Sequence, residues 1–196
     1  MAAEWSTYQG EPAANDSLRR RLMALERRDQ ALRQVPDLMD SMQVPAFARR
    51  MMRADSANAA ALMTIVDSFG WPTRSMVGTD GASAAFLIAQ HNPGIQQEAL
   101  RRMLALPGGQ VNPSDLALLQ DRVLTDAGKP QVYGTQLKPS PDGTLVFDSI
   151  ADVANVDRRR ADAGLFPLSV YICMIRGMYG RDVADPRPAS RQAPPR

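Results

Sequence analysis

The sequence predicts a mainly α protein: one helical domain of about seven helices with a single β-hairpin packed on it. Three features point there. Apolar residues recur at three- and four-residue spacing through most of the chain, as on the buried face of a helix. Asn, Asp, Pro and Gly fall between those stretches, where helices start and stop. One segment, about 131–148, changes instead to β-favouring residues around a turn signature.

The totals fit that class. The chain has 196 residues, 44% hydrophobic and 22% charged, enough for one globular domain with its own core. Residues 1–14 and the Pro/Arg-rich 181–196 are expected to be disordered ends of a domain over 15–180. Net charge is only +2, the only lysines are Lys129 and Lys138, and the arginines are interleaved with acids. No phosphate-tracking stripe results, so nucleic acid is not an expected partner. No apolar run reaches the ~20 residues of a membrane span, so no membrane is expected either. The start lacks the basic-then-apolar pattern of a signal peptide, and a cytoplasmic protein is expected. The single Cys173 excludes an intrachain disulfide and a cysteine-based zinc site, and its apolar surroundings predict a buried, inert thiol.

Taken in order, Asn15-Asp16-Ser17 offers an N-cap for a helix over about Leu18–Gln34. Its apolar stripe runs Leu18, Leu22, Leu25, Leu32, and Asp29 stands where the stripe should continue. A carboxylate in a buried seam needs a partner, and Arg33 at i+4 faces the same way. Pro36 and Pro45 bound a short element near Asp37–Gln43. Helices over Ala46–Met52 and Ala57–Phe69 follow, closed by Gly70 and Pro72, with Trp71 as an aromatic anchor that packs or stacks on a ligand. Gly78-Thr79-Asp80-Gly81 leads into the central helix, Ala82–His91. A glycine-bearing loop before a helix can hold an anion, but the P-loop spacing and lysine are missing. Asn92-Pro93-Gly94 stops the central helix at His91, the only histidine.

A helix from Pro93 to Leu106 ends at Pro107-Gly108-Gly109. Asn112-Pro113-Ser114-Asp115 starts the next, which runs to about Ala127. Gln131–Leu137 and Thr144–Asp148 are the expected hairpin strands, joined through Ser140-Pro141-Asp142-Gly143. On a regular strand Tyr133 shares a face with Gln131, and Gly134 with Gln136. A short helix through Asp157–Arg160 ends at Gly164, and Pro167 opens the last helix, to about Met178.

Several inward or end positions are polar: Asp29, Gln90, His91, Asp121 and Gln136. Arg28-Asp29-Gln30 with Arg33, Gly70-Trp71-Pro72, Gly78, Gln90-His91, Gln97, Asp121-Arg122, Gln131–Gln136, Val156-Asp157 with Arg159-Arg160, and Gly164-Leu165 occur in that order over roughly residues 20–171. In these pieces the chain resembles a family of bacterial proteins known as a domain of unknown function, DUF6624. The resemblance implies a shared fold and a common polar site, and no known reaction.

His91 is the one side chain that titrates near neutral pH without a shift. Asp29 or Asp121 is placed to accept from one ring nitrogen, leaving the other as general base or acid. Tyr133 is the candidate donor to a developing oxyanion. Gln90, Arg122, Gln136, Arg160, Arg33 and Trp71 are the candidate substrate-binding residues, the arginines by forked bonds to carboxylate or phosphate. No Gly-x-Ser-x-Gly elbow and no nucleotide motif is present. One histidine with Asp29 and Asp121 is thin for a metal, so neither metal nor cofactor is expected. The expected function is a cofactor-independent acid–base enzyme on a small molecule, of lyase, cyclase, isomerase or hydrolase type. A ligand- or peptide-binding module using the same pocket, and a structural or assembly protein, are the alternatives. A second copy of the chain is a further candidate partner.

Overall fold

The computed structural model describes residues 13–33 and 44–188. Among them are seven α-helices and one two-stranded antiparallel hairpin, the mainly α fold expected. They group into two compact units that meet in sequence between Asn112 and Pro113.

The N-terminal unit holds α1 (Asp16–Arg33), α2 (Val44–Phe69), α3 (Arg74–Gln90) and α4 (Pro93–Leu104). Helix α1 starts where Asn15 Oδ1 accepts the Leu18 amide at 3.0 Å, with Asp16 in the first turn and Arg33 in the last, each suited to the helix dipole. It buries Leu18, Leu22, Leu25 and Asp29. Helix α2 is continuous, not the two helices expected over 46–52 and 57–69. The intervening Arg53-Ala54-Asp55-Ser56 contains no breaker, and the Ser56 hydroxyl folds back onto the Met52 carbonyl at 2.9 Å. The short element expected near 37–43 lies outside the described residues.

Helix α3 packs on α1. Its buried Ala82, Ala84, Ala85 and Ala89 let the α1 leucines approach closely. It begins earlier than the sequence predicted, where Thr73 Oγ1 accepts the Met76 amide. It breaks after one turn at Gly78, whose φ is 74°. Residues 78–81 are therefore a kink inside a helix. The position expected to suit an anion is taken by the chain's own Asp80, which accepts from Gly81 N at 2.8 Å and from Arg19 Nε at 2.8 Å. Trp71 is buried, 4% exposed. It packs, and its ring is not available to stack on a substrate.

The C-terminal unit holds α5 (Pro113–Asp126), β1 (Leu137–Pro139), β2 (Leu145–Phe147), a 3-10 turn at Val153–Asn155, α6 (Val156–Asp162) and α7 (Leu168–Tyr179). Its core is Val156, Leu168, Ile172, Ile175 and Val183, with Leu137, Phe147 and Tyr171 packed against it. The hairpin is shorter than expected: strand pairing covers Leu137↔Phe147 to Pro139↔Leu145. Residues 131–136 form a loop with one bridge, Gln131 to Ile150, because side chains rather than a partner strand take its amides. Two further expectations are corrected. Leu145 pairs through N–H and C=O with Asp182 and Ala184, and Val183 between them is buried, so residues 182–184 lie on the hairpin. Cys173 is exposed, since Ile172 and Ile175 hold the inward positions of α7. Among the described residues no helix is long and apolar enough to cross a membrane.

Gly134 tests the packing of this loop. Its φ is 67°, and a Cβ there would lie 2.7 Å from Ile150 Cδ1. Gly128 has φ 68° with nothing within 4 Å. Both substitutions put a Cβ on a positive-φ backbone at about 1 kcal/mol, and Gly134→Ala, which must also push aside the end of the Ile150 side chain, should cost more than Gly128→Ala in urea unfolding. Equal losses would rule out the close approach to Ile150.

Candidate functional site

In the N-terminal unit the site is built around Asp29. Its carboxylate is fully buried, with a side-chain exposure of 0%. Arg33, one turn on, donates through Nε and Nη2 to both oxygens at 3.0 Å, and Gln30 Nε2 donates at 3.0 Å. His91, at the end of α3, places Nδ1 2.8 Å from Asp29 Oδ2. Arg33 Nη2 also donates to Asp55 Oδ1 on α2 at 2.6 Å. The cluster therefore joins α1, α2 and α3.

An ionised carboxylate can only accept, so Nδ1 carries the proton of this bond. Nε2 of the neutral ring is then a free lone pair. It has no partner among the described residues, and the side chain is 17% exposed. Burial is the largest influence on the ring and pushes its pKa down; Asp29 opposes and Arg33 assists, leaving His91 below the usual imidazole value. For Asp29, burial, again the largest influence, works against ionisation. The hydrogen bonds and charges of Arg33 and His91 outweigh it and hold the carboxyl below the ordinary range. The result is an anionic carboxylate orienting a neutral imidazole whose outer nitrogen is an accessible base. The preceding residue, Gln90, is half-buried and its side chain has no hydrogen bond among the described residues, while its main-chain carbonyl accepts from Gln96 Nε2 at 2.8 Å.

The other site candidates belong to the C-terminal unit, and most are spent on the backbone of 131–136. Asp121, buried, accepts from the amides of Val132 (2.7 Å), Tyr133 (3.1 Å) and Thr135 (3.0 Å) and from Thr135 Oγ1 (3.0 Å). It is a loop clamp and not the carboxylate that orients His91. Gln131, also buried, accepts from Thr135 N and Gln136 N and donates to the carbonyls of Gln136 and Asp148, all within 2.9 Å. Gln136 Nε2 turns back to Thr135 Oγ1 at 2.9 Å. Arg160 donates to the carbonyls of Tyr133, Gly134 and Phe166 and lies 4.8 Å over the Tyr171 ring. Its guanidinium, 1% exposed, is not free to grip a substrate. Arg33 is likewise committed, to Asp29 and Asp55. The face-sharing expected of a strand does not apply, because Gln131 and Gln136 meet within one loop.

Tyr133 does line a cleft of about 120 Å³, with Arg159 and Asp162 over an apolar floor of Pro113, Leu116, Ala117 and Ala163. Burial raises the pKa of its phenol, which stays a donor at neutral pH. Arg122 Nε is a buried donor without a partner among the described residues. Sequence reasoning missed four contributors: Asp55, Gln131, Tyr171, whose hydroxyl donates to Thr135 O at 3.0 Å, and Asp115. Burial pushes the Asp115 carboxyl up to about 7. Read alone, it signalled only a helix start. Among the described residues no three His, Cys, Asp or Glu side chains are grouped to hold a metal ion.

The model of one family, described as a family of unknown function (DUF6624), matches residues 16–184. No curated protein and no solved structure matches the chain.

The pair imposes a pH dependence. The folded pKa of His91 lies below its unfolded value, so the unfolded chain takes up this proton first and stability falls as pH drops below about 6.5. Asp29, also lowered, adds a second loss below about pH 4. Over this interval Asp115, raised to about 7, acts in the opposite sense, because the folded chain takes up its proton first; in Asp115→Asn, which removes that opposition, urea midpoints should fall between pH 7.5 and 5.5, and adding His91→Gln should flatten that interval. A variant that keeps the full slope would exclude His91 as its source.

Proposed function

We propose, on the premise that the chain belongs to the DUF6624 family of unknown function, that it is a cofactor-independent enzyme acting by proton transfer on a small molecule. The observation that carries this reading is the Asp29–His91 pair: Nδ1 held at 2.8 Å by a buried carboxylate, with Nε2 without a partner among the described residues and the side chain part-exposed. In that arrangement Nε2 takes a proton from a substrate O–H, N–H or acidic C–H. Asp29 stabilises the imidazolium that forms, and the same proton is returned to a leaving group or a neighbouring atom. Lyase, cyclase, isomerase and hydrolase steps all use this sequence. Gln90, the residue before His91, whose side chain makes no hydrogen bond among the described residues, is the side chain assigned to substrate contact. The reading retains the sequence expectations of a bacterial, cytoplasmic protein.

A structural role is the second reading, favoured by Arg33. By bonding both Asp29 and Asp55 it makes the cluster a tie between three helices.

The two readings separate in one experiment. A metabolite mixture is incubated with wild type and with His91→Ala, and consumption is followed by mass spectrometry. Catalysis by His91 requires a substrate consumed by wild type and lost by about 10²–10⁴-fold in the variant, with the melting temperature of His91→Ala within a few degrees of wild type. No consumption by wild type, together with a large drop in the variant's melting temperature, would leave the structural tie as the role of the cluster.

A further inference from the structure

The cleft beside Tyr133 lies within the C-terminal unit and takes no part in the Asp29–His91 reading. Pro113, Leu116, Ala117 and Ala163 give it an apolar floor, and its volume is about 120 Å³. A cavity of about 150 Å³ takes a benzene ring, so this one has room for about five or six heavy atoms. Its polar groups differ in how far they are committed. The Arg159 guanidinium is spent: Nε donates to Val132 O, Nη2 to the carbonyls of Ala151 and Asp152, and Nη1 lies 3.6 Å from Asp152 Oδ2. The Asp152 carboxylate offsets its charge. Asp162 is exposed and has neither ion pair nor hydrogen bond among the described residues, although Arg158 stands one turn before it. It ends α6, where the last carbonyls already carry partial negative charge and an acid is disfavoured. The hydroxyl of the half-buried Tyr133 has no partner among the described residues either.

We propose that this cleft binds a primary ammonium group carried on a short alkyl chain. The methylenes cover the apolar floor. The ammonium donates to the Asp162 carboxylate, in a charge-assisted bond, and to the Tyr133 hydroxyl oxygen. With Arg159 set against Asp152, the carboxylate of Asp162 is the charge left without a counter-charge in the cleft. It repels an anion, and a neutral alcohol of the same length forgoes the attraction. A free alkylamine and the side chain of a lysine in a partner peptide present this same group.

The test is an amide NMR titration of the full chain with n-butylammonium chloride up to about 100 mM, at constant ionic strength. Saturable shifts are expected at Ala117 and Ala163, with a Kd on the order of 1–10 mM for so small a ligand. Butan-1-ol and butyrate should bind at least about fivefold more weakly. Tyr133→Phe and Asp162→Asn remove groups that bond nothing among the described residues. Each should weaken n-butylammonium by about three- to tenfold and leave the melting temperature unchanged. Nα-acetyl-lysine N-methylamide separates the two sources: equal or tighter binding assigns the cleft to a lysine side chain, and weaker binding assigns it to a free amine. The proposal is overturned by shifts that do not saturate, by butyrate binding as well as n-butylammonium, or by either variant folding and binding the amine unchanged.

Discussion

The structure of the N-terminal unit depends on one buried carboxylate. Asp29 occupies a position in the α1 stripe that would otherwise be apolar, and its side chain has no exposed surface. Taking an anion out of water costs several kcal/mol, recovered only when every lone pair is engaged in good geometry. Asp29 has four donor contacts, three on Oδ2 from Gln30, Arg33 and His91 and one on Oδ1 from Arg33. The requirement reaches beyond α1. Arg33 needs a second acceptor, which α2 supplies through Asp55. His91 has to arrive where α3 stops, so the Asn92-Pro93 break belongs to the same arrangement. A buried ion pair is poor evidence of stabilisation in itself, because an apolar residue of similar size is often as good. What this one achieves is orientation: it holds an imidazole in one tautomer.

A second buried carboxylate, Asp121, shows why Asp29 is the reactive candidate. Both are fully enclosed acids on helices. The donors of Asp121 are three backbone amides, which have no acceptor to offer, and the Thr135 hydroxyl, whose oxygen already accepts from Gln136 Nε2. Asp121 shapes a peptide segment and ends there. One donor of Asp29 is a heterocycle whose opposite nitrogen remains a base. The same economy of backbone groups explains Arg159 and Arg160. Arg159 Nε donates to Val132 O and Arg160 Nη1 to Tyr133 O, both at 2.8 Å. The carbonyls of Val132, Tyr133 and Gly134 go to arginines and the amides of Val132, Tyr133, Thr135 and Gln136 to the Asp121 carboxylate and the Gln131 amide oxygen, which leaves 132–136 without need of a strand partner.

What could be read from the chain follows from how local each signal is. The α1 stripe, its interruption at Asp29 and the Arg33 partner at i+4 are periodic features within two turns, and they are as expected. The stop at His91 needed only Asn92-Pro93-Gly94. Asp55 was hidden by an assumed break near residues 53–56; on a continuous α2 it lies seven residues before the buried Leu62, on the same face. Gln131-Val132-Tyr133 has the composition of a strand, and local propensity could not reveal that a carboxylate ten residues upstream would take its amides. Arg160 looked like a free guanidinium because main-chain acceptors leave no mark in sequence. Trp71 reads from the sequence as a packing lid before a stacking platform, and its burial agrees with the lid.

The balance of charges around His91 sets the direction in which it can act. Asp29 alone would favour the imidazolium, as an acid beside a histidine usually does. Burial and the Arg33 guanidinium act the other way and prevail. The resting ring is therefore neutral, and under the proposed function its first step would be to accept a proton. Because Asp29 is held ionised by Arg33, the new imidazolium meets a carboxylate already in place, with no reorganisation of the surroundings. Arg33 thus has opposite effects on the two members of the pair: it raises the cost of protonating His91 at rest and keeps charged the group that offsets that cost once the proton has moved. A lysine at 33 would carry the same charge without the fork that binds both Asp29 oxygens while still reaching Asp55, so the planar guanidinium, and not charge alone, is what this site requires.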